Sequence, residues 1–217
     1  MLYQGLSKQR NVPELSDCRL KGGFFFPESD NHFIGEHEID HLDEALNHVK
    51  NFRVALDCGA HVGTWTRKLS DCFNTVIAFE PDPGNFRCLV KNNPKGNVMF
   101  YQSAVGDKPM KAGLHIPIDP GNSGAAWVVE GQDFDVIKID DLELLDVDFI
   151  KLDIEGYEPF AIHGARNTIE RFSPVILAEQ KPITARYGLH YMEAGRLLHE
   201  IGYSLKSQMN NDFIYGK

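Results

Sequence analysis

The feature that most constrains the fold is an apolar run that ends in an acid and a glycine-rich turn. Residues 54–56 are Val-Ala-Leu, which predicts a buried parallel strand, and Asp57 follows them. Gly59, Ala60 and Gly63 then give a turn with almost no side-chain bulk. A ligand can contact the backbone of such a turn, and free N–H groups of the following helix would face it. The turn therefore predicts a ligand site.

A second acid stands at the end of the next apolar run. Residues 76–79 predict another buried strand, and Glu80 follows it, about 20 residues after Asp57. An acid at the tip of the second strand is placed to accept hydrogen bonds from both hydroxyls of a ribose. The two acids and the turn together predict an adenosine-containing cofactor.

The residues missing from the turn indicate which cofactor this is. A dinucleotide site needs a second glycine where this chain has His61, and the Lys-Ser/Thr pair of a triphosphate loop is absent. Asp57 at the loop mouth would repel a phosphate and would suit a cation. S-adenosylmethionine has no phosphate and carries a sulfonium and an amino group, so it fits better than NAD. An NAD-dependent dehydrogenase is the less favoured alternative.

From residue 52 onward, apolar strand-like runs alternate with helical patterns, which predicts an α/β fold with a mostly parallel sheet. The last two strands are separated by Asn210 and Asn211 and predict an antiparallel hairpin. The predicted strands are 53–57, 75–80, 98–104, 148–154, 175–179, 203–209 and 212–215. The predicted helices lie near 39–51, 63–72, 84–92, 159–171 and 192–201.

Two segments lie outside this alternation. Residues 22–33 are aromatic and polar together, which fits either a segment that caps the site or an N-terminal plug. Residues 108–136 carry short strand signals at 114–118 and 126–129 and are long enough to form a substrate loop.

Length, charge and cysteine spacing restrict the class of protein. The 217 residues suffice for one well-buried α/β domain, and a net charge of −9 without a basic stripe argues against nucleic-acid partners. No apolar run is long enough to cross a bilayer, and the N-terminus lacks a signal-peptide core, so no membrane partner is expected. The four cysteines form no C-x-x-C pair and are expected to be reduced thiols in a cytoplasmic protein.

Five blocks of the sequence resemble the FkbM family of S-adenosylmethionine-dependent methyltransferases. They are DCGAHVG, FEPDPGNF, SAVGD, DFIKLDIEGYE and SPVILAEQK, which lie within residues 52–181, and the block at 148–158 is the most specific. The resemblance implies a Rossmann-like, seven-stranded methyltransferase fold and an O-methylation, often of a sugar or polyketide hydroxyl. It divides the chain into a capping segment and helix (1–51) and a methyltransferase domain (52–217), which together form one compact domain.

The resemblance also assigns roles to individual residues. Asp57, Gly59 and Gly63 match the methionine-side loop, Glu80 matches the ribose acid, and Ser103 lies in the segment beside the adenine. The full set expected to bind the cofactor is Asp57, Cys58, Gly59, Ala60, Gly63, Glu80, Pro81, Ser103, Ala104 and Asp153. Two features depart from the family pattern. His61 replaces an Asn that is common there, and the N-terminal part is short.

Asp153 and Glu155, the acids of the fourth strand, are the predicted catalytic residues. They lie two positions apart, so in a strand they would share one face with Lys151 at the carboxyl end, next to the cleft. We expect Glu155 to be the general base and Asp153 to face the methionine end of the cofactor. The alternatives are a structural cluster neutralised by Lys151, and a domain that binds S-adenosylmethionine without catalysis.

Residues 37–41, His-Glu-Ile-Asp-His, match the zinc-protease pattern H-E-x-x-H. That motif must lie within a helix, whereas Asp40 predicts a helix start that would leave His37 outside. No downstream third ligand is evident, so we expect no metal there. A divalent cation held by Asp153 and Glu155 is a lesser alternative.

Overall fold

The computed structural model describes residues 18–30, 39–117 and 122–217. Within these ranges the backbone forms twelve β-strands and six α-helices. The strands are β1 (Cys18–Lys21), β2 (Phe24–Pro27), β3 (Val54–Cys58), β4 (Thr75–Phe79), β5 (Val98–Tyr101), β6 (Ser103–Val105), β7 (Met110–His115), β8 (Trp127–Ile137), β9 (Phe149–Leu152), β10 (Val175–Glu179), β11 (Ser204–Met209) and β12 (Asp212–Gly216). The helices are α1 (Ile39–Leu46), α2 (Thr64–Cys72), α3 (Pro83–Asn92), α4 (Glu158–Gly164), α5 (Arg166–Phe172) and α6 (Glu193–Glu200).

Seven strands form the central sheet, in the order β11-β12-β10-β9-β3-β4-β5. The strands from β10 to β5 are parallel, whereas β12 runs antiparallel to both β10 and β11. The predicted mostly parallel sheet with a C-terminal antiparallel hairpin is therefore confirmed. The strand order reverses between β3 and β9, and open α/β sheets bind ligands in the crevice outside the carboxyl ends of their strands at such a point.

Helices cover both faces of the sheet, and successive residues of a strand pack against opposite faces. Phe149 packs with Leu42 of α1 and Leu69 of α2, while the next residue, Ile150, packs with Ile162 of α4 on the other face. This explains why the strands read as continuous apolar runs. Within the described ranges, no helix is both long enough and apolar enough to span a bilayer.

The segment at 108–136 is a small sheet where a substrate loop was expected. β6, β8 and β7 form a three-stranded sheet, in which β8 extends from Trp127 to Ile137. Gly131 and the acids around it interrupt the apolar pattern, so the sequence did not predict a strand of this length. A Cβ at Gly131 would lie 2.5 Å from the backbone nitrogen of Gly113, so the glycine lets the two strands approach closely. The predicted strand 98–104 is likewise two strands, because the chain leaves the central sheet after Tyr101.

The predicted helix 159–171 is interrupted. The chain forms α4 and α5, which are separated at Ala165. A Cβ at Gly164 would lie 1.8 Å from the carbonyl oxygen of Gly106, so the glycine admits the loop that follows β6. Helix α1 also ends earlier than expected, at Leu46 instead of residue 51.

Gly59 is required by the fold itself. Its φ is +80°, and a Cβ there would lie 1.9 Å from the carbonyl oxygen of Asp153 at the end of β9. Gly202 has a similar φ of +87° but nothing within 4 Å of its Cβ position. We expect Gly202→Ala to lower the free energy of unfolding by about 1–2 kcal/mol through backbone strain. Gly59→Ala should lose a further 1–3 kcal/mol, roughly, through overpacking.

Urea denaturation of the two variants measures both losses, provided that the m value is unchanged. Equal losses in the two variants would show that β3 and β9 do not approach as closely at this turn as the structure indicates.

Candidate functional site

A cleft of about 270 Å³ opens at the carboxyl edge of the central sheet, over the point where the strand order reverses. Its walls come from the ends of β3, β4, β9 and β10 and from the small sheet. The predicted site residues that line it are Gly59, Ala60, Glu80, Pro81, Ser103, Ala104, Asp153 and Glu155. Asp57, Cys58 and Gly63 are not among the lining residues. The site assignments themselves remain predictions.

The N–H groups of the glycine turn donate hydrogen bonds to carbonyl groups of the protein itself. The N–H groups of Gly59 and Ala60 both donate to the carbonyl of Phe79 at 3.0 Å, and that of Gly63 donates to Ala60. These three N–H groups are therefore used within the protein, whereas the expectation that N–H groups of the following helix face a ligand stays a prediction. A phosphate needs such donors, so the turn favours a ligand without a phosphate at this point.

Glu80 is buried in the wall of the cleft, where it closes the turn. One carboxylate oxygen accepts the N–H of His61 at 2.8 Å, and the other accepts the N–H of Asp82 at 2.9 Å. Burial raises the pKa of Glu80 to about 7, although His61 and the backbone donors oppose the shift. Each carboxylate oxygen has two lone pairs, so Glu80 keeps capacity for donors from the cleft.

Asp57 was expected at the mouth of the loop, but the structure places it beneath the turn, where it is 0% exposed. Thr66 Oγ1 donates to one of its oxygens at 2.6 Å, and Lys151 Nζ lies 3.2 Å from the other. An acid at the last positions of a parallel strand flanked by two others is covered by its neighbours. Asp57 therefore does not face the cleft itself, but it contacts Lys151, which does.

Lys151 joins the turn to the end of β9. Its Nζ donates to the carbonyl of Gly59 at 2.8 Å and lies 3.5 Å from Asp153 Oδ2. The ammonium is also 5.4 Å from the centre of the Trp65 ring, which lines the cleft. Lys151 thus pairs with acids, as the structural alternative predicted, and it also lines the cleft.

Glu155 does not continue the strand, so the argument that placed it by alternation was wrong. β9 ends at Leu152, and Glu155 has a φ of +57° in the turn that follows. Glu158 holds this turn, because its Oε1 accepts the N–H groups of Ile154 and Gly156 at 3.0 and 3.1 Å. Burial raises the pKa of Glu158 to about 7.

The turn nevertheless brings Glu155 to the other acids. Carboxylate oxygens of Asp153, Glu155 and Glu179 lie within 4.8 Å of one another. Lys181 Nζ pairs with Glu179 and lies 3.8 Å from Glu155. Burial raises the pKa of Glu155, and Lys181 opposes the shift. Burial and the charge of Asp153 raise the pKa of Glu179.

Within the described part of the chain, these three carboxylates are close enough together to be candidate ligands for a metal ion. The ammonium of Lys181 already contacts two of them and supplies a positive charge there. The expectation that the site holds no metal stays a prediction.

His41 has a partner that the zinc-protease pattern did not suggest. Its Nδ1 lies 2.6 Å from Asp212 Oδ2, and Asp212 is the cross-strand neighbour of Glu179. His37 lies outside the described residues. An Asp at the first position of an antiparallel strand gave no signal in the sequence, because only the pairing of β10 with β12 brings it to the carboxyl edge.

His61 is held by two separate parts of the chain. Its Nε2 lies 2.6 Å from Ser123 Oγ and 3.5 Å from Asp30 Oδ2, and Ser123 Oγ donates to Asp30. The imidazole therefore has partners within the protein. Both contacts converge on the same ring nitrogen, whereas a Ser-His-Asp triad uses one nitrogen for each partner.

Two buried polar atoms at the opposite wall have no hydrogen-bond partner among the described residues. They are Ser103 Oγ and Asn85 Oδ1, and both residues line the cleft. Asn85 was not predicted as a site residue. Its position in the first turn of α3, after the cap at Asp82, is the signal that could have identified it.

Comparisons with known proteins agree with the fold. The model of the methyltransferase FkbM domain matches residues 57–205. The fold is similar to that of a methyltransferase FkbM from Methylobacillus flagellatus KT, with 21% identity and a TM-score of 0.52, over 77% of this chain and 44% of that one. The chain thus spans less than half of that relative. No curated protein sequence matches.

Two other solved structures share the fold at lower identity. One is a candidate S-adenosylmethionine-dependent methyltransferase from Listeria monocytogenes, at 10% identity and a TM-score of 0.52, over 83% of this chain and 96% of that one. The other is a precorrin 8w decarboxylase from Methanobacterium thermoautotrophicum, at 14% identity and a TM-score of 0.54, over 90% and 97%. At these identities the likeness shows a shared fold.

The buried ammonium of Lys151 should be essential to stability. Lys151→Met leaves Asp57 buried and charged, and breaking a buried ion pair costs about 3–5 kcal/mol. Lys95→Met, which removes an exposed pair with Asp71, should change the free energy of unfolding by no more than about 1 kcal/mol. The double variant Lys151→Met, Asp57→Asn should recover part of the loss, because it removes the stranded charge.

Urea denaturation of the three variants provides the comparison. If Lys151→Met were as stable as Lys95→Met, Lys151 would not neutralise Asp57 in the way the contacts indicate.

Proposed function

The chain belongs to the family of FkbM methyltransferase domains, and from this premise we propose that it transfers the methyl group of S-adenosylmethionine to a hydroxyl of a sugar or another small molecule. The observation that carries the proposal is the distribution of polar groups along the cleft. Neutral unpartnered atoms and a buried acid lie at one wall, and a group of acids lies at the other.

The residues present fit the cofactor. Ser103 Oγ and Asn85 Oδ1 are buried, line the cleft and have unused hydrogen-bonding capacity, as polar edges of an adenine require. Glu80 would accept from the ribose hydroxyls. When bound, the sulfonium supplies an activated methyl group, and the protein contributes alignment and a base for the proton of the acceptor.

The charge at the other end suits a cation. Two carboxylates, those of Asp57 and Asp153, flank the single ammonium group of Lys151. The remaining negative charge would be balanced by the methionine end of the cofactor, whose sulfonium and amino group carry one positive charge more than its carboxylate. Asp153 is suited to the methionine end because it lines the cleft and is held by Lys151 from behind.

Glu155 is suited to be the general base. Burial raises its pKa, so the carboxylate is a stronger base than an exposed Glu. Its turn is fixed by Glu158, which limits the positions that the carboxylate can take. The proton of the acceptor hydroxyl would pass to Glu155.

The acceptor is proposed from the character of the walls beside Glu155. Tyr157 stacks on Phe160 and lines the cleft together with Leu114 and Val128. Aromatic and apolar surface beside a carboxylate and the Lys181 ammonium supports a polyol ring such as a sugar. Asp30 is 2% exposed and accepts a hydrogen bond from Ser123, so it is not proposed as a partner for the acceptor.

The two alternatives make different predictions. A dehydrogenase would need N–H donors for the pyrophosphate of NAD, and the donors of Gly59, Ala60 and Gly63 are used within the protein. A domain that binds the cofactor without catalysis would have the same pocket, so only turnover on an acceptor distinguishes it.

Calorimetry tests the cofactor. S-adenosylmethionine and its demethylated product should bind at micromolar strength, about −8 kcal/mol, and NAD should not bind. Glu80→Gln should weaken binding by about 1.5–3 kcal/mol, because it removes a charged acceptor. The affinity of the parent protein should fall from pH 8 to pH 6, since Glu80 with a pKa of about 7 becomes protonated.

Glu170→Gln, on the exposed surface of α5, should bind like the parent protein. Binding of NAD without binding of either S-adenosyl compound would contradict the cofactor proposal.

Kinetics separates the two predicted catalytic acids once a screen of hydroxyl compounds has supplied an acceptor. Glu155→Gln should lower the rate by about 10²–10⁴-fold with S-adenosylmethionine affinity nearly unchanged, because a general base is lost. Asp153→Asn should reduce both rate and affinity. In the parent protein the rate should rise with pH through the pKa of Glu155, which lies above the usual range of a Glu.

Full activity of Glu155→Gln would remove Glu155 from the mechanism. Methylation of a nitrogen acceptor alone would contradict the proposed substrate class and leave the cofactor proposal standing.

A further inference from the structure

Two thiols outside the cleft are in direct contact. Cys18, in β1, and Cys88, in α3, are both free, and their Sγ atoms are 3.0 Å apart. A disulfide bond has an S–S distance of about 2.05 Å, so bond formation requires a movement of roughly 1 Å. These residues are 70 positions apart in the sequence, and neither belongs to a C-x-x-C motif.

The contact is fixed by the packing of the β1–β2 hairpin on α3. Phe26 of β2 is buried with Cys88 and with Val62 of the glycine turn. The side chain of Asn92 accepts the N–H of Phe25 at 2.8 Å and donates to its carbonyl at 2.9 Å. Because the hairpin is bound to α3 through both its backbone and its apolar face, the two thiols are held together in the folded protein.

The two thiols differ in access. Cys18 is partly exposed, so a small reagent can reach it, whereas Cys88 is buried behind it. Burial and the neighbouring Cys18 raise the pKa of the Cys88 thiol. The contact suits a sequential reaction, in which the accessible thiol reacts first and the buried one resolves the product. The raised pKa of Cys88 makes this second step faster as the pH rises, because the thiolate is the attacking species. The other cysteines lack this arrangement, since Cys72 is exposed and Cys58 is fully buried.

We propose that Cys18 and Cys88 form a redox modification site that small disulfides such as glutathione disulfide oxidise to an intramolecular disulfide. Cys18, as the thiolate, attacks one sulfur of glutathione disulfide, forms a mixed disulfide and releases one glutathione thiolate. Cys88, as the thiolate, then attacks the sulfur of Cys18 and releases the second glutathione. The two protein thiols lose two protons to water and two electrons to the oxidant, and the two glutathione thiolates released take up two protons from water to become thiols.

The bond would fix one wall of the cleft. It joins β1 to α3, and β2 leads directly to Asp30, which binds Ser123 and lies 3.5 Å from His61 Nε2. Ser123 and His61 both line the cleft. Oxidation therefore anchors the segment that holds these two residues, whereas in the reduced protein only non-covalent contacts hold it.

Peptide mapping tests the site. The full chain is incubated with excess glutathione disulfide at pH 8, the remaining thiols are blocked with N-ethylmaleimide, and the digest is analysed by mass spectrometry. We expect a peptide pair linked through Cys18 and Cys88 that dithiothreitol separates. Cys72→Ser, the control for an accessible thiol, should form the same link. Cys88→Ser should instead keep glutathione on Cys18, and Cys18→Ser provides a second variant if Cys88→Ser does not fold.

Two further measurements test the effect of the bond. The Tm of the oxidised parent protein should rise by about 5 °C or more, because the bond constrains a long loop of the unfolded chain. Amide exchange in residues 24–30 should become slower, and Cys18→Ser should show neither change on treatment.

A parent protein that keeps glutathione on Cys18 without forming the link, or that links Cys72 instead, would overturn the proposal. Formation of the link with unchanged exchange in residues 24–30 would overturn the claim that it anchors the cleft wall.

Discussion

The arrangement of the site depends on one buried ammonium group. Lys151 Nζ is in contact with the Gly59 carbonyl, with Asp57 beneath the turn and with Asp153 at the cleft. These residues come from two strands that are adjacent only because the strand order reverses between β3 and β9. A buried carboxylate is tolerated only if its charge is paired and hydrogen-bonded. Lys151 therefore couples the turn to the end of β9, in addition to the backbone hydrogen bonds that hold each of them.

The register of the sheet extends this interaction into a row of charged residues. Lys151 is opposite Asp57 in β3, and Glu179 is opposite Asp212 in β12. Asp212 is in turn in contact with the His41 imidazole. The carboxyl ends of parallel strands lie at one edge, so residues that each follow an apolar run converge there. Below this edge the strands are apolar on both faces, which places the polar groups where a ligand can use them. The same burial that covers the row raises the pKa of Glu155 and Glu179.

The sequence predicted the central sheet well and the small sheet poorly. Most central strands are short apolar runs that end at an acid, a glycine or a polar turn, and such a pattern can be read from a few neighbouring residues; β11 is the polar exception. The sequence of β8 contains Gly131 and several charged residues, so it lacks the apolar run of a typical strand. β8 is stabilised by pairing with β7 and β6, and a pattern of neighbouring residues does not show this pairing. Glu155 lies outside β9 for a related reason. Glu158 accepts two N–H groups of the turn, and the strand ends at Leu152, two residues before its predicted end at residue 154.

By itself the sequence determined the α/β class, the order of the strands along the chain, and which acids and glycines are predicted to lie near a cofactor. These follow from hydrophobic periodicity and from the conformational demands of a glycine turn, both of which act over a few residues. Only the tertiary structure decided which of these residues face the cleft. It buried Asp57 behind Lys151, brought Asp30 and Ser123 to His61, and placed Asp212 beside Glu179. The orientation of each side chain is set by strands and helices distant in sequence, because burial and pairing of charges are settled only when those elements pack together.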